Sequence, residues 1–311
     1  MKASFINETH IEGWVYEHKL EKKVTGPTSK NPGTEFISGT LSIATDNEMT
    51  NIVPIHYTYV TAITKNGKTN STFTALSNII DGTWKSVMGD GKEVATKVKA
   101  DSAIGVNDFY TKRGNEEETL VSAKRNEGGF IHAETNLKDN ENERSTFTCD
   151  MIITNVIRIE ADEEHHRPER MTVKGCTFDF LKSIVPIELT VLNPVAMDYF
   201  EGLDASNSNP VFTKVWGRQV STVSIVTKTE ESAFGEAKVT EVQNTRKEWV
   251  ITGAAAEPYV WDDESTITIA ELNKAMTDRE THLAEVHTRW KEYQDSRQTA
   301  TAPATKAGFN F

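Results

Sequence analysis

The sequence predicts a mainly β protein closed by one long C-terminal helix. Three observations carry this. Most of the chain up to residue 255 alternates apolar and polar residues at period two. Clusters of Gly, Pro, Asn and Ser punctuate these runs. After residue 267 the apolar period changes to three and four.

The strands follow in order. "HIEGWVYEHKL" (10–20) alternates along most of its length, and "GPTSKNPG" (26–33) is a turn-rich loop. "EFISGTLSIATD" (35–46) places Ile37, Gly39, Leu41 and Ile43 on one face. "NIVPIHYTYVTAIT" (51–64) does the same with Val53, Ile55, Tyr57 and Tyr59. Pro54 marks an edge or a bulge, because proline cannot donate to a ladder. A short helix is expected at 75–89. Strands follow at 99–112, 119–135 and 145–160, with "RNEGG" (125–129) as a hairpin tip.

The charged run "ADEEHHRPER" (161–170) reads as a domain boundary between a first domain, 1–160, and a second β module, 171–256. No strong repeat links the halves, although the order of elements is similar. The helix is expected over 266–297. Thr268 and Glu271 form a capping box, and Ile269, Leu272, Ala275, Met276, Leu283, Val286 and Trp290 fall near one face. The tail, 298–311, is low in complexity and expected to be disordered.

At 311 residues the chain exceeds the usual single-domain size. It contains no apolar run of about 18 residues, so no membrane helix is expected. "MKASFINETHIEGW" lacks the apolar core of a leader, so a cytoplasm is the expected setting. Cys149 and Cys176 sit in strand-like runs and read as small buried hydrophobes. His165 and His166 lie between them, but their spacing fits no common zinc module, so no metal or other cofactor is expected. The chain contains no nucleotide-binding glycine loop and no metalloprotease signature, so the function is expected to be non-catalytic.

The net charge of −12 argues against a broad basic surface for duplex DNA, but not against a narrow basic groove. Aromatic residues and cations recur together. Trp14, Tyr16 and His18 lie on one face, followed by Lys19, Lys22 and Lys23. Phe109 and Tyr110 precede Lys112 and Arg113, and Lys124 and Arg125 lead to Phe130. Phe212, Lys214, Trp216 and Arg218 share one face of a strand, and Tyr59 stands on another. Unpaired bases need flat π surfaces and their phosphates need cations, so this pattern suits single-stranded nucleic acid. Aromatics also fit any pleated, half-buried surface, so packing is the competing reading for each one.

"HIEGWVYEHKLEKK", "EFISGTLSIATD" and "NIVPIHYTYV" resemble the first three strands of bacterial and bacteriophage single-stranded DNA-binding proteins. Ile43, Ala44 and Thr45 match the phrase that ends the family's second strand. "STFTCDMIITNV" resembles the family's closing strand, and the likeness spans roughly residues 5–157. It implies an OB-fold, a five-stranded Greek-key barrel; the second β module departs from the family, and its similar order of elements makes a second OB-like module the expectation there. It also implies sequence-tolerant binding of single-stranded DNA in replication or recombination. The extra module suggests a bacteriophage protein acting in its host's cytoplasm. Two modules in one chain suit a monomer or dimer better than the family's tetramer. The implied partners are single-stranded DNA, further copies of the chain, and replication or recombination proteins reached through the helix or tail. The family's acidic tail ending in Pro-Phe is replaced by "KAGFNF". The alternatives are a β-rich virion component and a nuclease built around His165 and His166.

Overall fold

The computed structural model describes residues 5–112, 117–162, 168–230, 234, 238–261 and 267–301. Residues 222–230, 238–245 and 297–301 are described by backbone alone. Ten strands form two closed rings. The first contains β1 (Asn7–Val24), β2 (Glu35–Ala44), β3 (Ile52–Thr61), β4 (Lys97–Thr111) and β5 (Thr119–Ala133). Going round the ring, β1 pairs β2, β2 pairs β3, β3 pairs β5 in parallel, β5 pairs β4, and β4 returns to β1. Two short helices, α1 (Ser71–Ile80) and α2 (Val87–Asp90), bridge β3 to β4. This is the five-stranded Greek-key order of an OB-fold.

The second ring repeats that order. It contains β6 (Ser145–Ile159), β7 (Arg170–Phe178), β8 (Ile184–Val191), β9 (Val211–Glu230) and β10 (Lys238–Ala254), with α3 (Pro194–Gly202) between β8 and β9. Strand β6 pairs β7 and β9, β7 pairs β8, β8 pairs β10 in parallel, and β10 pairs β9. A repeat too short to stand out in the sequence sits at the same place in both rings. Ile52-Val53-Pro54-Ile55 opens β3, and Ile184-Val185-Pro186-Ile187 opens β8.

Three expectations change. The strand at 145–160 is the first strand of the second ring, not the closing strand of the first. The charged run at 161–170 therefore links two paired strands, and the change of ring falls before Ser145. The rings stay joined there, because Asn7–Ile11 of β1 pairs with Ser145–Cys149 of β6. "RNEGG" is no hairpin tip. Strand β5 runs through it as a bulge, with Gly129 at φ +98°, where a Cβ would lie 1.7 Å from the Asp101 carbonyl oxygen. The helix expected at 75–89 is two helices, broken at Gly82, whose φ is +72°.

Each ring has its own core. Ile11, Val15, Leu41, Ile55, Leu76 and Val98 fill the first, and Phe147, Met151, Val173, Leu189, Phe200 and Val215 fill the second. A third cluster covers the outside of the second ring, where Phe178, Phe212 and Ile267 meet Leu272 and Ala275 of α4 (Ile269–Thr301). The capping box forms: Glu271 Oε2 accepts from the Thr268 amide at 3.0 Å, and the Glu271 amide donates to Thr268 Oγ1 at 3.1 Å. Helix α4 runs past its expected end to Thr301, and the rest of the tail lies outside the described residues. No described helix is long and apolar enough to cross a membrane.

From its anchor on the second ring, α4 reaches the first. Arg279 makes two bonds to the buried Asp108 carboxylate of β4, at 2.7 and 2.6 Å. Burial alone would raise the Asp108 pKa. The Arg279 and Ser122 hydrogen bonds outweigh it and hold the carboxyl below its usual range.

Candidate nucleic-acid interface

The outer face of β1, β2 and β3 carries an ordered row of polar and aromatic side chains. Lys19 stands opposite Thr40, and Thr40 opposite His56. The Thr40 hydroxyl and His56 Nδ1 are 3.1 Å apart. Burial and then the Arg125 charge lower the His56 pKa, so the ring is neutral at pH 7 and can donate or accept. Nearer the open end, Lys23 stands opposite Phe36. The rings of Phe36 and Tyr59 meet at 4.7 Å, and Tyr59 remains 48% exposed. Lys23 is tied to Glu21 at 2.9 Å, an exposed pair that a phosphate could displace at little cost.

Beyond His56 the face runs into a cleft between the rings. The first ring supplies Pro54, His56, Arg125 and Asn126, and the second supplies Gln219, Ser221, Lys247 and Trp249. Asn126 and Gln219 exchange amide hydrogen bonds across the seam at 2.9 and 2.8 Å, both buried, and fix the rings against each other. Lys124 also serves this seam. Its ammonium donates to the Glu188 carbonyl at 2.5 Å and sits 5.0 Å from the Trp249 ring. Burial draws its pKa down to about 8, and Glu188 pulls the other way.

The expected site residues therefore divide. Lys19, Lys23, Tyr59 and Arg125 come together on this face and cleft. Trp14 does not present a ring to solvent. It is 8% exposed, with Lys92, Arg144 and Lys97 at 5.4, 5.6 and 6.0 Å from its ring centre. A bulge between Val15 and Glu17 breaks the alternation expected for Trp14, Tyr16 and His18. Tyr16 sits half-buried at the bulge, and His18 stands opposite core residue Leu41. Lys22 is held by Asp81, both contacts at 3.1 Å.

Phe109, Tyr110 and Lys112 lie at the far end of β4. Phe109 is partly exposed, but Tyr110 lies under α4, 4.5 Å from the His287 ring. Arg113 lies outside the described residues. Phe130 is 70% exposed at the rim of a separate groove whose carboxylates include Glu8, Asp101 and Asp179. That lining repels phosphates.

Phe212, Lys214, Trp216 and Arg218 do share the outer face of β9. Their partners across the ladder, Ile152, Asp150, Thr148 and Thr146, alternate in step. Phe212 is 1% exposed, covered by Tyr259 and Trp261, so it is core and not a stacking platform. Lys214 faces Asp150, and Arg218 bonds the Asn142 side chain. Trp216 lies flat on Gly253, where a Cβ would come within 2.4 Å of the indole, and it keeps a partly exposed outer face.

Sequence reasoning missed Phe36, His56 and Lys247. The signal for Phe36 and His56 was present. Each falls out of phase with an apolar run, Phe36 beside Ile37 and His56 beside Ile55. Among the described residues no group of three or more His, Cys, Asp or Glu is placed to hold a metal, and His165 and His166 lie outside them.

The family model described as YorF matches residues 6–289. No curated protein matches the chain. A deletion mutant of the single-stranded DNA-binding protein from Thermus aquaticus aligns at 10% identity and a TM-score of 0.43, over 84% of this chain and 98% of that one. The fold described above rests on the strand pairing, not on that likeness.

Proposed function

We propose that this chain, which belongs to the YorF family, binds single-stranded DNA without catalysis and largely without regard to sequence, in replication or recombination. The observation that carries the reading is the pair of half-buried Phe36 and exposed Tyr59 on the β2–β3 face of a Greek-key ring, with Lys19 and Lys23 on the adjoining strand. That face is where OB-folds bind oligonucleotides. Aromatic platforms take unpaired bases by stacking, and flanking cations take the phosphates. The track continues from His56 into the cleft past Arg125 to Lys247. Binding through a narrow track of cations is compatible with a net charge of −12, since the acidic remainder disfavours indiscriminate contact.

The test is fluorescence anisotropy of a labelled oligothymidylate of about 30 nucleotides, a length that two such rings can span, at two salt concentrations. Binding should weaken steeply with salt. Tyr59→Ala and Phe36→Ala should each cost about 1–3 kcal/mol, the value of one stacked base. No binding at low salt would end this reading.

A further inference from the structure

The groove that carries Phe130 on its rim is bordered by both rings and by α4, and it holds about 1370 Å³. Small-molecule pockets enclose about 300–1,000 Å³, so a longer ligand suits it better. Its floor belongs to the apolar cluster that anchors α4, with Phe178, Ile184 and Ala275. Three large apolar side chains stand out from its border. Phe180 is 90% exposed, and Leu181 and Phe130 are each 70% exposed. Large apolar groups exposed along one groove mark a contact surface. Backbone geometry holds them there. Phe180 and Leu181 form the tip of the β7–β8 turn. The Asp179 amide donates to the Ser183 carbonyl at 3.0 Å, and Asp179 Oδ1 accepts from the Leu181 and Ser183 amides at 2.8 and 2.7 Å. Lys182 closes the turn at φ +66°, in the left-handed region. Phe130 follows Gly128 and Gly129, the glycines of the β5 bulge.

We propose that this groove docks a cationic segment of a partner protein through apolar side chains on that segment. The charge of the lining selects the occupant. Six carboxylates line the groove against two cations, Lys182 and Arg279, and Arg279 is committed to Asp108. Glu8 and Asp278 are the most open, with side chains 62% and 64% exposed. Asp278 is paired with Lys274 at 2.6 Å, an exposed pair that a partner's cation can replace at little cost. The same charge disfavours a nucleic-acid strand. It also disfavours a second copy of this chain, whose net charge is −12. Lysine or arginine side chains of the partner meet the carboxylates, and its apolar side chains pack against Phe130, Phe180 and Leu181. No residue lining this groove lines the cleft or belongs to the Lys19–Tyr59 face. The proposal is therefore independent of the single-strand reading, and a strand and a partner can be held together.

The experiment measures anisotropy of three labelled synthetic peptides with the full chain, at low and high salt. Each has about 12 residues, roughly 40 Å when extended. The first interleaves Lys and Leu, the second has Glu in place of Lys, and the third has Ser in place of Leu. The first should bind, and salt should weaken it. The other two should bind at least about tenfold more weakly, since both charge and apolar contact are required. Phe130→Ser and Phe180→Ser should each weaken the first peptide at least about tenfold, as truncated apolar anchors do. Oligothymidylate binding should move less than about twofold in both, because the sites are separate. Both positions are exposed, so the variants should fold, which circular dichroism checks. No binding of the first peptide at low salt overturns the proposal, and so does binding that neither variant weakens. Equal binding of the third peptide overturns it as well, because charge alone would then suffice. If the variants change the sedimentation of the chain by itself, the groove holds a second copy and the cationic partner is refuted. If they weaken oligothymidylate binding, the strand uses the groove and the proposal fails. Failure of the wild type to bind oligothymidylate ends only the single-strand reading.

Discussion

Replacing Arg279 with Met should release the far half of α4 from the first ring while leaving its near end anchored. Asp108 is 3% exposed at its side chain and receives two guanidinium bonds from Arg279, with His282 3.7 Å away. Removing one partner of a buried pair costs about 3–5 kcal/mol when the other charge must stay buried. Here the carboxylate has an escape. If the helix lifts, Asp108 regains water, so the loss is capped by the docking energy of α4 itself. Even about 3 kcal/mol would change the docked-to-lifted ratio by more than a hundredfold. The anchor at Ile267, Leu272 and Ala275 belongs to the third apolar cluster and does not depend on Arg279. Amide hydrogen exchange reads both halves at once. Protection from 280 to 293 should collapse, and protection from 271 to 276 should hold. Asp108→Leu combined with Arg279→Met should restore much of the protection, because an apolar pair of similar volume is often as stable as the ions it replaces. Unchanged exchange from 280 to 293 in Arg279→Met would refute the clamp. So would a uniform rise along the whole helix. The same pair sets an acid limit. The Asp108 pKa is depressed in the folded state, so its contribution is complete above the ordinary carboxylate range, about 3.9. It is lost as pH falls through the lower folded value. Helix α4 should therefore stay docked at pH 5 and lift in stronger acid.

Four further outcomes follow from the same contacts. Lys19→Ala should weaken binding to all single strands alike and reduce the salt slope by about one, as measured by anisotropy titrations across a salt series. Phe212→Ala should lower stability by about 3–5 kcal/mol in chemical denaturation, and strands should bind normally wherever it remains folded, because the ring is core. Asn126→Ala should cost about 1–3 kcal/mol, since Gln219 would be left buried without its partner. Asn126→Leu with Gln219→Leu should cost less. Burial raises both thiols, Cys176 to about 12, so neither should react with iodoacetamide at pH 8 until the protein unfolds.

The strands were legible where one face is buried and the other wet. In β2, Ile37, Leu41 and Ile43 point into the core and Phe36, Ser38 and Thr40 point out, so the alternation survives in the sequence. The cap of α4 was legible because Thr268 and Glu271 interact only with each other and the local backbone. Ring membership was not. Strand β6 is buried on both sides, with Met151 and Ile153 in the second core and Ile152 in the outer cluster. Such a strand reads as a plain apolar run, and nothing local says which ring it closes. The bulges at Tyr16 and at Gly128–Gly129 shift side chains from one face to the other, so strict alternation misplaced His18 and read a turn into β5. The site divided along the same line. Lys19 stands on a simple outer face. Tyr59, expected on one face with Val53, Ile55 and Tyr57, is instead exposed while they are buried, because the β2–β3 register shifts between Ile37 and Gly39. Trp14 and Phe212 are aromatic residues whose covers come from distant segments, Lys92 and Arg144 for one and Tyr259 and Trp261 for the other.

Each ring is completed by its shortest pairing. Ile55 and His56 meet Asn126 and Glu127 in the first ring, and Val250 meets Thr190 in the second. Every other ladder in either ring is antiparallel and longer. The barrels are therefore hoops held shut by their fillings more than by their clasps, and each clasp can part for the loss of very few hydrogen bonds. His56, at the first clasp, and Trp249, next to the second, both line the same cleft. The shortest pairing of each ring therefore borders one and the same cleft, so the place where each barrel has the fewest backbone bonds to lose is shared between them.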